Sequence, residues 1–193
     1  TSSYKADVLA GLINREDVAE KAGERRKSAK HVEHNKGHGQ LVRDGTPQNI
    51  SNTIWAFATS SYQADVLGGL INREDVAEKL VRDGTPQNIS NTIWAFATSS
   101  YKADVLAGHI NREDVAKLVR DGTPQSISNT IWAFATSSYK ADVLAGLINR
   151  EDVAEKVVRN GTPQAISNTI WAMATLEHDA KVLVGLINHT HQS

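Results

Sequence analysis

The hydrophobic and polar residues of this chain follow a helical period, and the same pattern returns four times. In the segment "PQNISNTIWAFAT" at 47–59, Ile50 and Ile54 recur at the spacing of one helix face. The preceding Thr46 suits an N-cap, and Pro47 suits the first helical position, where its missing N–H leaves no bond unmade. We therefore predict a helix over about 47–59, which we name helix A.

A second apolar stripe, from Ala64 to Arg82, predicts further helical structure after helix A. The sequence "GGLINRED" at 68–75 leaves open whether this is one helix or two, because its glycines weaken a helix and Asn72 can begin a new one. Gly45, which follows the corresponding stripe of the preceding repeat, suits the left-handed residue that ends a helix. No stretch shows the sustained alternation of a strand. The repeat is all helical under either interpretation.

The pattern repeats with a nearly constant period. The four tryptophans are 39, 38 and 39 residues apart, at Trp55, Trp94, Trp132 and Trp171. A fixed period in this range predicts stacked units, because one helix pair cannot bury its apolar face alone. The predicted fold class is all-α, a right-handed α-solenoid of stacked helix-turn-helix repeats of 38–39 residues.

We expect the whole chain, 1–193, to form a single array. A partial repeat at 1–21 is followed by an insertion at 22–40, and repeats start near 45, 84, 122 and 161, the last one incomplete. The tryptophans could be platforms that stack nucleobases. Their Ile and Ala neighbours place them on the apolar stripe instead, and we expect each to be buried between successive helix pairs.

The insertion "AGERRKSAKHVEHNKGHGQ" is polar and basic, and we expect a mobile surface loop or an extended helix end. Its His31, His34 and His38 would share one helix face, a plausible geometry for zinc. Gly37 weakens such a helix, and a hydrated loop that touches phosphate is the preferred interpretation. We therefore predict no metal site.

Composition narrows the possible functions. The net charge of −1 gives no global attraction to nucleic acid or to an anionic membrane, so any RNA binding must come from local charge. The absence of Cys excludes disulfides and thiolate metal sites. No apolar run is long enough to span a bilayer. No P-loop, nucleotide-binding glycine pattern or nucleophile elbow is present, so we expect no enzyme activity, no cofactor and no small-molecule substrate.

Helix A resembles the first helix of the octotricopeptide repeat family, which reads roughly Pro-Gln, an apolar residue, Asn and then Trp-Ala-x-Ala. The matching residues recur in all four copies and are, in the first, Pro47, Gln48, Ile50, Asn52, Trp55, Ala56 and Ala58. The family's repeat length of 38 also fits, and the resemblance covers nearly the whole chain apart from 22–40 and the tail.

This resemblance implies a two-helix solenoid that binds single-stranded RNA, in a mitochondrion or chloroplast, and acts in transcript processing, stability or translation. Some members are structural parts of organellar ribosomes, so rRNA is a second possible partner. No targeting segment is visible at the start of the chain. The alternative function is a protein–protein interaction scaffold or a structural subunit of a large assembly such as an organellar ribosome, which the balanced charge favours.

A repeat that reads a polymer should vary at the positions that read it. The residue after each Pro-Gln and the residue before each Gly-Thr-Pro vary among the copies, and most carry short hydrogen-bonding groups that can meet a base edge. Neutral drift at exposed helix starts explains the same variation. An Arg at each junction can contact phosphate or complement the helix dipole. The candidate RNA-binding residues are Asn49, Asn88, Ser126, Ala165, Asp44, Asp83, Asp121, Asn160, Arg43, Arg82, Arg120 and Arg159.

Overall fold

The computed structural model describes residues 44–59, 69, 72–99 and 101–190, without the side chains of 113–115, 189 and 190. The predicted partial repeat at 1–21, the insertion at 22–40 with its three histidines, and Arg43 lie outside the described residues. Within those ranges the chain is all-α, and no strand is present. The helices are α1 (Pro47–Thr59), α2 (Glu74–Asp83), α3 (Pro86–Thr98), α4 (Asp104–Ile110), α5 (Glu113–Asp121), α6 (Pro124–Ser137), α7 (Asp142–Ile148), α8 (Glu151–Asn160), α9 (Pro163–Thr175) and α10 (Lys181–Thr190).

Helices α1, α3, α6 and α9 are the four copies of helix A, and each begins at the predicted proline. The Oγ1 atoms of Thr85, Thr123 and Thr162 each accept a hydrogen bond from the backbone N–H three residues later, at 3.1–3.2 Å. These bonds satisfy one of the N–H groups that a first turn leaves without a helical partner. The predicted threonine caps are therefore confirmed.

Each complete repeat within the described residues contains three helices, which differs from the two-helix repeat that the family resemblance implies. One helix ends before Asn111 and another ends before Asn149. The residue after Asn111, Arg112, has an extended backbone with φ −82° and ψ 147°. The side chain of Asn111 accepts a hydrogen bond from the N–H of Leu144 in the following repeat, at 3.3 Å. The break is thus held by a bond to a neighbouring repeat, which the sequence of one repeat does not reveal.

This bond recurs at every described junction. The Oδ1 atom of Asn72 accepts from the N–H of Val105 at 3.1 Å, and that of Asn149 accepts from the N–H of Val182 at 3.3 Å. In each case the donor lies in the first turn of a helix, 33 residues after the acceptor, and the acceptors Asn111 and Asn149 each follow the last residue of a helix. We name these three bonds the junction caps.

The helix A copies pack against one another in series, α1 on α3, α3 on α6 and α6 on α9. The shorter helices link successive repeats in pairs, α2 with α4, α5 with α7, and α8 with α10. Between the two sets lies one core of Ile, Leu, Val, Ala and Phe. In one such pair, Nε2 of the buried His109 lies 2.8 Å from Oε1 of Glu74.

Small side chains line the contact between successive helix A copies. Thr92 and Ala95 of α3 are buried, whereas their counterparts in α1 are half-buried, so this side faces the preceding helix. Ser128 and Ala135 of α6 are buried, whereas their counterparts in α9 are exposed, so the other side faces the following helix. Small residues on both sides permit a close approach of the helix axes.

The glycine before Thr-Pro stands where a side chain would not fit, and at Gly84, Gly122 and Gly161 it does not adopt the left-handed conformation expected of the repeat from Gly45. Gly84 and Gly122 have φ −85° and −71°, which any residue can adopt. A Cβ on Gly122 would lie 2.8 Å from Cβ of Pro86 at the start of the preceding helix A. A Cβ on Gly84 would lie 2.1 Å from the carbonyl oxygen of Leu80. Glycine is required here for space.

Candidate binding surface

The tryptophans occupy the outer side of helix A, and the expectation that each is buried between helix pairs is wrong. Trp55 and Trp171 are 45% and 49% exposed. Trp94 and Trp132, which have described helix A neighbours on both sides, are half-buried at the edge of the core. The core positions of the same helices are filled by Ile and Phe instead, such as Ile131 and Phe134.

Two amides stand on the same side of helix A as each tryptophan. They lie seven and three residues before it, which is the spacing of one helix stripe. The same three residue types occur in all four copies, and every one is exposed or half-buried. We name this surface the indole–amide face. Its residues are Gln48, Asn52, Trp55, Gln87, Asn91, Trp94, Gln125, Asn129, Trp132, Gln164, Asn168 and Trp171.

The helix A copies lie side by side in parallel register, so the equivalent residues form rows. At one end, the Gly122 that precedes α6 lies against Pro86, the first residue of α3. At the other end, the Tyr139 hydroxyl that follows α6 accepts a hydrogen bond from the N–H of Ala103, which follows α3, at 2.5 Å. The face therefore carries one row of indoles and two rows of amides across the four helices.

No charged residue occurs in any copy of helix A. The indole–amide face is consequently uncharged along its whole length. Nε2 of Gln125 donates to Oδ1 of Asn129 at 2.7 Å. Among the described residues, the other side-chain amides of the face make no hydrogen bond to protein, so their donors and acceptors are open to a partner.

The positions expected to read bases do not form one open groove. The residue after Pro-Gln is exposed at Asn49 and half-buried at Asn88, whereas Ser126 and Ala165 are 5% and 1% exposed. This position is on the side of helix A that packs against the preceding copy, and that contact excludes solvent in the later repeats. The expectation that all four face a common groove is therefore wrong for Ser126 and Ala165.

Two of the three polar side chains at this position, those of Asn88 and Ser126, bond within their own helix start. Oδ1 of Asn88 accepts from the N–H of Thr85 at 3.2 Å and completes a capping box. Oγ of Ser126 lies 3.1 Å from Oγ1 of Thr123. Variation at this position is accounted for by capping and by the fit of neighbouring helices.

The position before each Gly-Thr-Pro is exposed in all described copies, at Asp44, Asp83, Asp121 and Asn160. The adjacent arginines are engaged in ion pairs: Arg82 with Asp83 at 2.9 Å, Arg120 with Asp121 at 3.3 Å, and Arg159 with Glu155 at 2.7 Å. The hydrogen bond between Arg82 and Asp83 lowers the pKa of that carboxyl and raises the pKa of the guanidinium. A phosphate at these arginines would compete with a carboxylate already in place.

Sequence reasoning did not assign the amides of the indole–amide face as binding residues, although a signal was present. The amides are the same in all four copies, although the structure leaves them in contact with solvent. A solvated side chain with only a structural role has no need to stay the same, so this invariance indicates binding. In the part of the chain that the structure describes, no cluster of His, Asp or Glu could hold a metal ion. No helix within the described ranges is long and apolar enough to cross a membrane.

The fold and the surface together define a class, an all-helical repeat protein with a recurrent uncharged aromatic and amide face. Comparison of the chain with family models, with curated proteins and with solved structures gives no match.

Proposed function

We propose that the protein is a non-enzymatic binding scaffold that holds a linear protein partner along the indole–amide face. The repeats would form the array that presents this face, a right-handed α-solenoid. The observation that carries the proposal is the recurrence of the same solvent-accessible, uncharged residues on four adjacent helices. A surface built by repetition suits a partner that itself repeats along its length.

The absence of charge on the face favours a polypeptide over a nucleic acid. Proteins that bind single strands without sequence preference combine stacking aromatics with a positively charged groove that follows the phosphates. Helix A contributes no cation, and the arginines at its N-terminal edge are paired with acidic side chains. Protein interfaces, by contrast, are enriched in tryptophan and depleted of charge at their centre.

Single-stranded RNA is the second candidate, and one specific observation favours it. Each repeat offers one solvent-accessible indole with two amides beside it, which is the set of groups that stacks one base and bonds its edge. The octotricopeptide resemblance points the same way and carries with it the expectation of an organellar location and of rRNA as a possible target. If RNA is the partner, the side-chain amides of the indole–amide face are the groups that distinguish one base from another.

Selection from two random libraries under one buffer tests these candidates. A peptide library and a single-stranded RNA library would be passed over the immobilised chain, and the recovered ligands measured by fluorescence anisotropy. We expect peptide ligands whose affinity falls at least tenfold when Trp94 and Trp132 are both replaced by Ala. Val184→Ala, at a side chain 43% exposed on α10, is the control and should leave affinity unchanged.

Two results would change the assignment. Recovery of RNA ligands alone, with the same dependence on the two tryptophans, would replace the polypeptide by RNA. Recovery of no tryptophan-dependent ligand from either library would remove the proposed function, provided that circular dichroism shows the double variant and the parent chain to be equally helical.

A further inference from the structure

We propose that copies of this chain associate head to tail, with α1 of one copy packed against α9 of another. The inference goes beyond the proposed function, because it concerns the two outermost helix A copies and not the indole–amide face. It follows from a contact that helix A makes three times within the chain, and from the two halves of that contact that are open on α1 and α9.

The same two sides of helix A meet at all three contacts, α1 with α3, α3 with α6 and α6 with α9. The earlier helix contributes the side that carries the serine of Ile-Ser-Asn, which we name the trailing side. The later helix contributes the side that carries the alanine after the tryptophan, which we name the leading side. Where these sides are covered they exclude solvent almost completely, at Ser51, Ser90 and Ser128 and at Ala95, Ala133 and Ala172.

The trailing side of α9 is open. Ser167 is exposed, and Ile166 and Ile170 are half-buried, whereas the corresponding isoleucines of the three earlier copies are at most 6% exposed. A repeat that ends an array usually has a polar outer face, because that face meets water. No such replacement occurs here, since α9 differs from α6 over the shared thirteen residues only at Ala165 and Met173.

The leading side of α1 is open as well. Ala56 and Thr53 are half-buried, whereas their counterparts in the three later copies are buried. Asn49 is exposed on the same side, at the position where Ser126 and Ala165 are covered by the preceding helix. The first and last helix A copies therefore present the two complementary halves of one contact.

A second copy of the chain is the occupant that these open sides select. Ala56 corresponds to Ala172 and Ser167 corresponds to Ser128, and the sides that carry Ala172 and Ser128 already pack together between α6 and α9. Neither helix contains a charged residue, so the contact requires no ion to lose its water. Because the two sides differ, the contact is heterologous, and each added copy leaves one open side for another.

Sedimentation equilibrium of the full chain tests this proposal, at concentrations from about 1 µM to about 500 µM, where a small interface dissociates. We expect the weight-average molar mass to rise with concentration and to exceed that of two chains. Ser167→Glu should block the trailing side and Ala56→Glu the leading side, because each would bury an unpaired carboxylate. Thr136→Glu, at an exposed residue of α6, is the control and should associate as the parent does.

A mixture of the two blocked variants gives the sharpest result. Each variant alone should remain a monomer over the whole range. An equimolar mixture should form a complex of one copy of each and nothing larger, because only one leading side and one trailing side remain intact. Circular dichroism should show all variants to be as helical as the parent. Asn49→Glu, at an exposed residue, replaces Ala56→Glu if that variant is less helical.

Three results would overturn the inference. The first is a parent chain that stays monomeric at every concentration. The second is continued association of either blocked variant alone, which would indicate that like sides meet or that another surface is used. The third is a mixture that remains monomeric while the parent associates. None of these measurements contains a peptide or an RNA, so their outcome leaves the proposed function to be judged by the library selection.

Discussion

Tryptophan and phenylalanine stand two residues apart in helix A and occupy different environments. Phe134 is fully buried and meets the ring of Tyr139 edge to face, with centroids 5.7 Å apart. Trp132 lies at the margin of the same core. The sequence shows apolar residues around most of this helix, and which of them are covered depends on where neighbouring helices lie. That is why the helix could be predicted from its pattern while the exposure of its indoles could not.

The junction cap at Asn111 depends on one side chain, and removing that side chain should lower the stability of the protein by a measurable amount. Replacing Asn111 by Ala leaves the N–H of Leu144 without its acceptor. Loss of a capping group of this kind costs about 0.5–2 kcal/mol, and we expect the free energy of unfolding to fall by that amount in urea titrations followed by circular dichroism.

Asn129→Ala provides the matched control for this change. Asn129 is also half-buried, but its side chain bonds Gln125 on the surface of its own helix. Its replacement should change stability by less than about 0.5 kcal/mol. If both variants lower the free energy of unfolding by the same amount, the hydrogen bond between Asn111 and Leu144 makes no contribution of its own to stability.

At the scale of the element, the chain contains two kinds of glycine that should respond in opposite ways to the same change. Gly108 lies within α4, and a Cβ there would meet nothing within 4 Å. Gly108→Ala should stabilise the protein by up to about 1 kcal/mol, because alanine is the better helix former. Gly122→Ala should instead destabilise it, because the new Cβ would lie 2.8 Å from Cβ of Pro86.

Thermal unfolding of both variants checks this prediction in one experiment. We expect the midpoint to rise for Gly108→Ala and to fall for Gly122→Ala. A rise for both would mean that the starts of α3 and α6 can separate without cost, and that glycine before Thr-Pro reflects something other than the close approach of these helices.

The elements of this fold differ in how far sequence defines them. Helix A was predicted over 47–59, and α1 spans Pro47–Thr59, because its cap, its proline and its apolar spacing all lie within the segment. The second stripe was ambiguous between one helix and two. Its break at Asn111 is held by the N–H of Leu144, more than thirty residues away, and no local pattern contains that information. The same limit applies to Ser126, whose burial is caused by the preceding helix.

At the scale of the whole molecule, the absence of charge on the indole–amide face predicts how binding responds to solution conditions. A partner held by indoles and neutral amides loses little affinity as salt increases, because no ion pair is screened. Between 50 and 200 mM salt, we expect peptide affinity to change by less than about twofold, whereas six or more phosphate contacts would cost about a thousandfold or more.

The same titration at pH 5.5 and pH 8 completes the test. The face has no titratable residue, so affinity should be the same at both values. A steep salt dependence would indicate that cations elsewhere on the chain take part and would favour RNA. A pH dependence with flat salt behaviour would indicate a contribution from a histidine outside the face.

The direction of the junction caps has a consequence for how the chain acquires its fold during synthesis. Each asparagine acceptor precedes its donor by 33 residues, so it leaves the ribosome first. Translation at about 5–20 residues per second delivers a repeat in roughly 2–8 s, whereas a helix forms in about a microsecond. Each arriving helix start therefore meets an acceptor that is already in position, and the nascent protein can grow as an ordered structure from its earlier repeats towards its later ones.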